Sequence, residues 1–282
     1  MRQLKTYYYL TKPGIVYGNS LPALGAFLLA AYPPIPALTV FAMLFGLGLV
    51  MAGACVANNL LDRRIDAAME RTKRRALPAG KVSVRVAGAY SALLTLAGLI
   101  ILGLGTTPMA TLWAAGGWLA YVALYGYAKR HTVHGTLVGS LSGAVPPVVG
   151  YTAVTGRLDA TAWLLFLIMA VWQMPHFYAI AIFRLNDYRA AGLPIISVVK
   201  GVRATQEQIV AYILLFTAVA LLLPLLGAVS WIYTFGMIFL CGLWLLQAIR
   251  GQHDTDPNLW ARRLFGWSLW VLLGWSALIA VY

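Results

Sequence analysis

The sequence predicts an all-α, polytopic membrane protein of nine spanning helices. Three observations predict it. Of the 282 residues, 61% are apolar and only 10% are charged, where a soluble domain carries about a quarter charged. The apolar residues run in stretches of roughly 17 to 24, enough to cross a hydrocarbon core of about 30 Å. And 20 of the 21 Lys and Arg residues fall in alternate connections between those stretches. A membrane β-barrel would show short alternating segments instead.

In chain order the spans are expected at 15–31, 36–59, 86–104, 108–127, 133–153, 160–182, 209–227, 230–250 and 263–281. The first follows Arg2, Lys5 and Lys12 but is too long, and too closely followed by a second, for a cleaved leader. Turn residues mark the breaks: Pro33-Pro34, Gly105 to Pro108, Gly156, and Gly251 to Pro257 with His253 as a loop residue. Odd-numbered connections are short, and even-numbered ones are long and basic. Arg157 alone lies on the opposite side. The net charge of +13 is therefore topological and not the mark of a nucleic-acid binder. It places the N-terminus in the cytoplasm and the C-terminus outside a cell inner membrane. Cys55 and Cys241 lie in apolar runs without a CxxC partner and read as small buried hydrophobes.

The eight acids are more selective, and three of them cluster at Asp62, Asp66 and Glu70. Asn58, Asp62 and Asp66 recur every four residues, which stacks them on one helix face about 6 Å apart. An amide oxygen with two carboxylates is a hard, all-oxygen set suited to Mg²⁺, which takes one or two carboxylates, waters and phosphates. Glu70 drifts off the face. Arg71, Lys73, Arg74 and Arg75 follow, then Leu77-Pro78-Ala79-Gly80, and such a basic cluster complements diphosphate oxygens. A weak echo links Asp62-Arg63-Arg64 with Leu77-Pro78 to Asp187-Tyr188-Arg189 with Leu193-Pro194. It suggests a two-fold repeat, approximately 36–130 and 160–250, within one domain spanning 1–282.

The pattern Asn58-x3-Asp62-x3-Asp66 resembles the first aspartate-rich motif of the UbiA family of intramembrane prenyltransferases, and the likeness runs through nearly the whole chain. Three further stretches resemble the haem O synthase branch of that family. They are Thr11-Lys12-Pro13-Gly14, the run from Tyr127 to Thr132 leading to Gly143-Ala144-Val145-Pro146-Pro147, and Trp172-Gln173-Met174-Pro175-His176-Phe177 leading to Asp187-Tyr188-Arg189. Two departures stand out. Only Asp187 is acidic where many members have a second DxxxD motif, and Gly135 stands where the branch usually has Asn.

The resemblance implies a helical bundle around a central cavity open to the cytoplasm, with farnesyl diphosphate and haem b as substrates. Asn58, Asp62 and Asp66, with Asp187, would be the catalytic set holding Mg²⁺, and Arg63, Lys73, Arg74, Lys129, Arg130 and Arg184 would bind the diphosphate. Trp172, His176 and Tyr178 are the candidate haem contacts, and a haem A synthase or terminal oxidase is a candidate partner. Other aromatics, among them Tyr121, Tyr125 and Tyr127, are expected at the membrane interface or around an allylic cation. Rival readings are a quinone-precursor prenyltransferase, a transporter, and an oxidase assembly factor.

Overall fold

The computed structural model describes residues 2–31, 34, 36–251 and 256–281, and among them every regular element is helical. The turn expected at Pro33-Pro34 falls partly outside the described residues, and His253 falls wholly outside. A short α1 (Arg2–Leu10) precedes α2 (Pro13–Ala30) and α3 (Ala37–Leu61), after which α4 (Arg63–Ala68) turns away. Then come α5 (Val84–Gly105), α6 (Pro108–Leu119), a π-helical segment (Ala120–Tyr125) and α7 (Gly126–His131). The middle of the chain forms α8 (Gly135–Gly143), α9 (Val145–Thr155), α10 (Ala160–Phe183), α11 (Leu185–Ala190) and α12 (Ile196–Val199). It closes with α13 (Gly201–Ala220), a 3₁₀ turn (Leu223–Leu226), α14 (Trp231–Arg250) and α15 (Pro257–Leu278).

The starts of several helices are set locally. Ser83 accepts from the Val86 N–H, Thr107 from Ala110, Asp159 from Ala162, and Asp256 from Asn258 and Leu259. Each satisfies a donor that an opening helix leaves unpaired. Pro13, Pro108 and Pro257 stand in first turns, where the missing N–H costs nothing.

Seven segments are long and apolar enough to cross a membrane: Pro13–Ala30, Ala37–Leu61, Val84–Gly105, Gly135–Thr155, Ala160–Phe183, Gly201–Leu226 and Trp231–Arg250. The stretches expected at 108–127 and 263–281 are helical too, but the first is broken by the π segment and the second opens on Arg262 and Arg263. The seventh expected span, at 209–227, begins eight residues earlier, at Gly201. Polar Thr205 and Gln206 hide that start from hydropathy, yet both are buried against neighbours.

Small residues let the helices touch. On α3, Gly46 lies against Gly98 and Leu102 of α5, and Gly53 against Ser91 and Thr95, with Ser91 Oγ donating to the Gly53 carbonyl at 2.8 Å. Hydrocarbon gives no solvent-driven attraction between helices, so close backbone approach supplies the packing. One apolar core gathers around α10, α13, α14 and α15, where Trp244, Trp260 and Trp275 are fully buried. A second lies among α2, α3, α6 and α9. At one end of the bundle, α4 and α11 (six residues each) follow α3 and α10 and carry the acids.

Candidate functional site

The α3 helix ends at Leu61 and restarts at Arg63, so the expected straight stripe is interrupted at Asp62. Two main-chain bonds preserve its phase: Asp62 N–H to Asn58 O at 2.8 Å, and Asp66 N–H to Asp62 O at 2.7 Å. Asn58, Asp62 and Asp66 are therefore still stacked one per turn. Asn58 and Asp66 are buried.

These oxygens do not share one partner. Lys129 Nζ donates to Asn58 Oδ1 at 2.6 Å and also to Asp62 Oδ2, while Arg130 donates to Asp62 Oδ1 at 3.0 Å. Asp66 is turned elsewhere, both its oxygens accepting from one guanidinium nitrogen of Arg75 at 3.0 and 3.1 Å. The Thr72 hydroxyl holds the Asp66 carbonyl at 2.8 Å and ties the basic connection to α4. The three residues expected from spacing are divided between partners: Asn58 and Asp62 converge on Lys129, and Asp66, one turn beyond, is held in its own ion pair. Among the described residues no three His, Cys, Asp or Glu side chains cluster closely enough to hold a metal ion. The convergent pair nevertheless already encloses a cation, the Lys129 ammonium. An amide and a carboxylate oxygen meeting at one positive charge are donors that fit Mg²⁺ completed by water and phosphate.

Asp187 joins this end of the bundle from α11. Arg71 Nε lies 3.9 Å and Arg184 3.8 Å from its carboxylate. Arg71 comes from the connection after α3 and Asp187 from the one after α10, so the two acidic regions meet through that pair. Three expected diphosphate contacts stand apart. Arg63 donates to the Leu60 carbonyl, Lys73 pairs with Glu70 at 2.5 Å, and Arg74 is exposed. Within the cluster 71–75 it is Arg71 and Arg75 that reach Asp187 and Asp66. The connection lacks helical periodicity, so spacing gave no means of choosing.

Lys12 stands beside these acids although no spacing singled it out. It is the one non-glycine residue at positive φ among those described, at 52°, where L-residues are strained. The Asn59 amide fixes this approach by donating to the Leu10 carbonyl at 2.9 Å. Lys12 there lies within electrostatic reach of Asp62, Asp66 and Arg75, and burial pulls its pKa below the usual lysine value. The same cause acts on Lys129, whose ammonium burial disfavours against the pull of Asp62.

Two tyrosines distinguish themselves beside these charges. Tyr121 and Tyr125 stack at 5.5 Å in the π segment, and Lys129 Nζ lies 4.8 Å from the Tyr125 ring centre. π-Helical turns often mark functional sites. Gly135 has a clear role: a Cβ there would stand 2.7 Å from the Lys129 Cα. The α7–α8 turn is packed closely behind Lys129, so a side chain such as Asn at this position would require the Lys129 backbone to shift. The neighbouring His134 is exposed.

The expected haem contacts split into two places. Trp172 stacks on His176 at 4.9 Å. Trp172 Nε1 donates to the Ser268 carbonyl at 3.0 Å, and His176 Nδ1 is 2.7 Å from Ser268 Oγ. Tyr178, two residues on, faces another side of α10 and packs edge-on against Tyr212 at 5.9 Å. With His134, Lys200 and Gln208 it lines a pocket of about 260 Å³. The three residues therefore do not form one surface, because positions two apart on a helix point about 200° apart.

Residues 19–270 match the model of the UbiA prenyltransferase family. The chain is 44% identical over 279 residues to the protoheme IX farnesyltransferase of Yersinia enterocolitica, covering 99% of this chain and 94% of that one. It is 45% identical over 278 residues to the protein of the same name from Salmonella arizonae, covering 98% and 94%. Solved structures share the fold at lower identity. A UbiA homolog from Aeropyrum pernix aligns at 19% identity with a TM-score of 0.73 over 95% of both chains. One from Archaeoglobus fulgidus, bound to GPP and Mg²⁺, aligns at 16% with a TM-score of 0.66 over 98% of this chain and all of that one.

Proposed function

Since this chain belongs to the UbiA prenyltransferase family, we propose that it transfers a farnesyl group from farnesyl diphosphate to a vinyl group of protohaem IX, yielding haem O and diphosphate. The observation that carries the choice of acceptor is the near-full-length likeness to protoheme IX farnesyltransferases. The convergence of Asn58 and Asp62 on one cation supports the chemistry.

In this reading the acidic end faces the cytoplasm of a cell inner membrane, with the N-terminus inside. Asn58 and Asp62 hold Mg²⁺ with the diphosphate of the donor, and Asp66 and Asp187 stand beside them. The metal supplies positive charge that stabilises the diphosphate as it leaves. Lys129, still paired with Asp62, donates another N–H to a diphosphate oxygen together with Arg130. Lys12, Arg71, Arg75 and Arg184 add charge around it, each aimed at charge that develops in the transition state.

The allylic C–O bond breaks with its electron pair leaving on the diphosphate. The terminal vinyl carbon of the acceptor bonds to the farnesyl C1. Water then adds to the resulting cation and loses a proton, which gives the hydroxyl of the product. No side chain acts as nucleophile. The ring faces of Tyr121 and Tyr125 lie where they attract the allylic cation, and the surrounding apolar helices keep stray water from it.

The test is incubation of the purified full chain with farnesyl diphosphate, Mg²⁺ and haem b, with haem O and diphosphate measured by chromatography. Equal product with a quinone precursor in place of haem, and none with haem, refutes the acceptor assignment.

A further inference from the structure

The α14 and α15 helices touch towards both ends and leave open space beside Gly266. Near one end a Cβ on Gly274 would lie 2.4 Å from Leu240, and at the other a Cβ on Gly251 would meet the Trp260 ring at 1.9 Å. Between those contacts, a Cβ on Gly266 would meet nothing within 4 Å. The gap is a groove of about 970 Å³ walled by apolar side chains, among them Phe239, Trp267 and Trp270. Its lining runs along α15 from Arg262 to Ala277, about 22 Å at 1.5 Å per residue. One leaflet of hydrocarbon is about 15 Å deep.

The groove is apolar along most of its length, with Gln247 as its one uncharged polar side chain, and cationic at one end. Arg262 and Arg263 are exposed there, and neither forms an ion pair among the described residues. That end is the acidic end of the bundle, since the Phe183 ring lies 5.1 Å from the Arg262 guanidinium and 5.5 Å from that of Arg184, which is 3.8 Å from Asp187.

We propose that this groove holds one anionic glycerophospholipid, its phosphate on Arg262 and Arg263 and an acyl chain along Trp267, Trp270 and Phe239. The charge pattern matches that amphiphile end for end, and arginine forks suit phosphate oxygens. Trp267 and Trp270 supply the amphipathic rings common at membrane interfaces. A second copy of this chain fits poorly, because a two-fold contact through the groove sets like arginine pairs against each other. The acceptor fits poorly as well. Ser268, which faces Trp172 and His176, is two residues from both Gly266 and Trp270. It therefore points about 200° round the helix from the groove.

The test is native mass spectrometry of the full chain in mild detergent, titrated with phosphatidylglycerol and phosphatidylcholine of identical acyl chains. The wild type is expected to retain one phosphatidylglycerol at roughly 25-fold lower concentration, taking about fivefold per arginine near a lipid surface. The double variant Arg262→Gln/Arg263→Gln loses that preference while binding phosphatidylcholine as before. Gly266→Leu keeps both arginines, fills open space and weakens retention of both lipids, which separates groove occupancy from a folding defect. Equal retention of the two lipids by the wild type overturns the proposal, as does a preference that survives in the double variant. Displacement of the bound lipid by haem b, or by a co-purified membrane helix, overturns it too.

Discussion

Lys129 reaches from α7 to α3 and places its ammonium 2.6 Å from the amide oxygen of Asn58, 71 residues away in sequence. The same nitrogen contacts Asp62, so one buried cation joins an amide and a carboxylate that are one helical turn apart. An isolated charge at this depth would be costly, and pairing makes it tolerable. The arrangement also keeps the two oxygens convergent.

Asp62→Asn keeps shape and removes charge. Turnover is expected to fall by roughly 10²- to 10³-fold, the usual consequence of deleting one preorganised electrostatic group. Haem O formation, with thermal unfolding as the control for folding, provides the check. Undiminished turnover refutes the role of Asp62 in the site.

Lys129→Met and Asp62→Asn are expected to be strongly non-additive. Each deletes the same ion pair, so the double variant should lose little more activity than the worse single one. A double-mutant cycle on kcat/KM measures the coupling, and independent losses that multiply contradict it.

Lys129 also sets a pH dependence. Burial lowers its pKa from the ordinary 10.5, so the folded chain releases this proton at lower pH than the unfolded chain. Across the window between the two values the unfolded chain binds more protons, and folding stability rises with pH. Activity runs the opposite way, because the ammonium that engages Asp62 and the diphosphate is lost as pH rises through the depressed value. The kcat/KM profile should show an alkaline limb below pH 10.5 that Lys129→Arg moves upward. A limb unmoved in that variant belongs to another group.

Arg75→Ala and Arg74→Ala are neighbours with different expectations. Arg75 holds a buried carboxylate, and its loss leaves Asp66 without its hydrogen-bond donor, at a cost of about 1–3 kcal/mol. Arg74 is exposed and forms no ion pair among the described residues, so its loss should change stability by no more than about 0.5 kcal/mol. Unfolding midpoints of the two variants decide the matter.

Gly135→Ala forces a methyl group toward the Lys129 backbone. The expected cost is about 1–3 kcal/mol of overpacking, with activity reduced further because the strain falls on Lys129. A variant as stable and active as the parent means that the turn yields freely.

Charge placement and apolar length made the helical plan legible before any coordinates, and four-residue spacing exposed Asn58, Asp62 and Asp66. Both signals are periodic, and periodicity survives projection onto a line. Lys12 left no such trace, because its place depends on a left-handed residue and a distant Asn59. Which arginine of 71–75 would meet which acid depended on how an aperiodic connection folds back. Trp172, His176 and Tyr178 were grouped by their neighbourhood in sequence, and the structure stacks the first two while turning Tyr178 to another side of the helix. The break at Asp62 and the π turn at Ala120–Tyr125 are departures from regular geometry, and regular geometry is all that a spacing argument can see.

On α2, a Cβ at Gly25 would stand 2.4 Å from the Ser276 carbonyl of α15, so the first long helix is seated directly against the last. A ribosome adding about 5–20 residues per second takes roughly 13 to 50 s to make the intervening chain. Throughout that interval the seam beside α2 stands open, and its partner has yet to be synthesised. Seating of α2 against α15 is thus a late event in biogenesis, and chains truncated before α15 will leave that face of α2 uncovered, whatever the quality of their earlier packing.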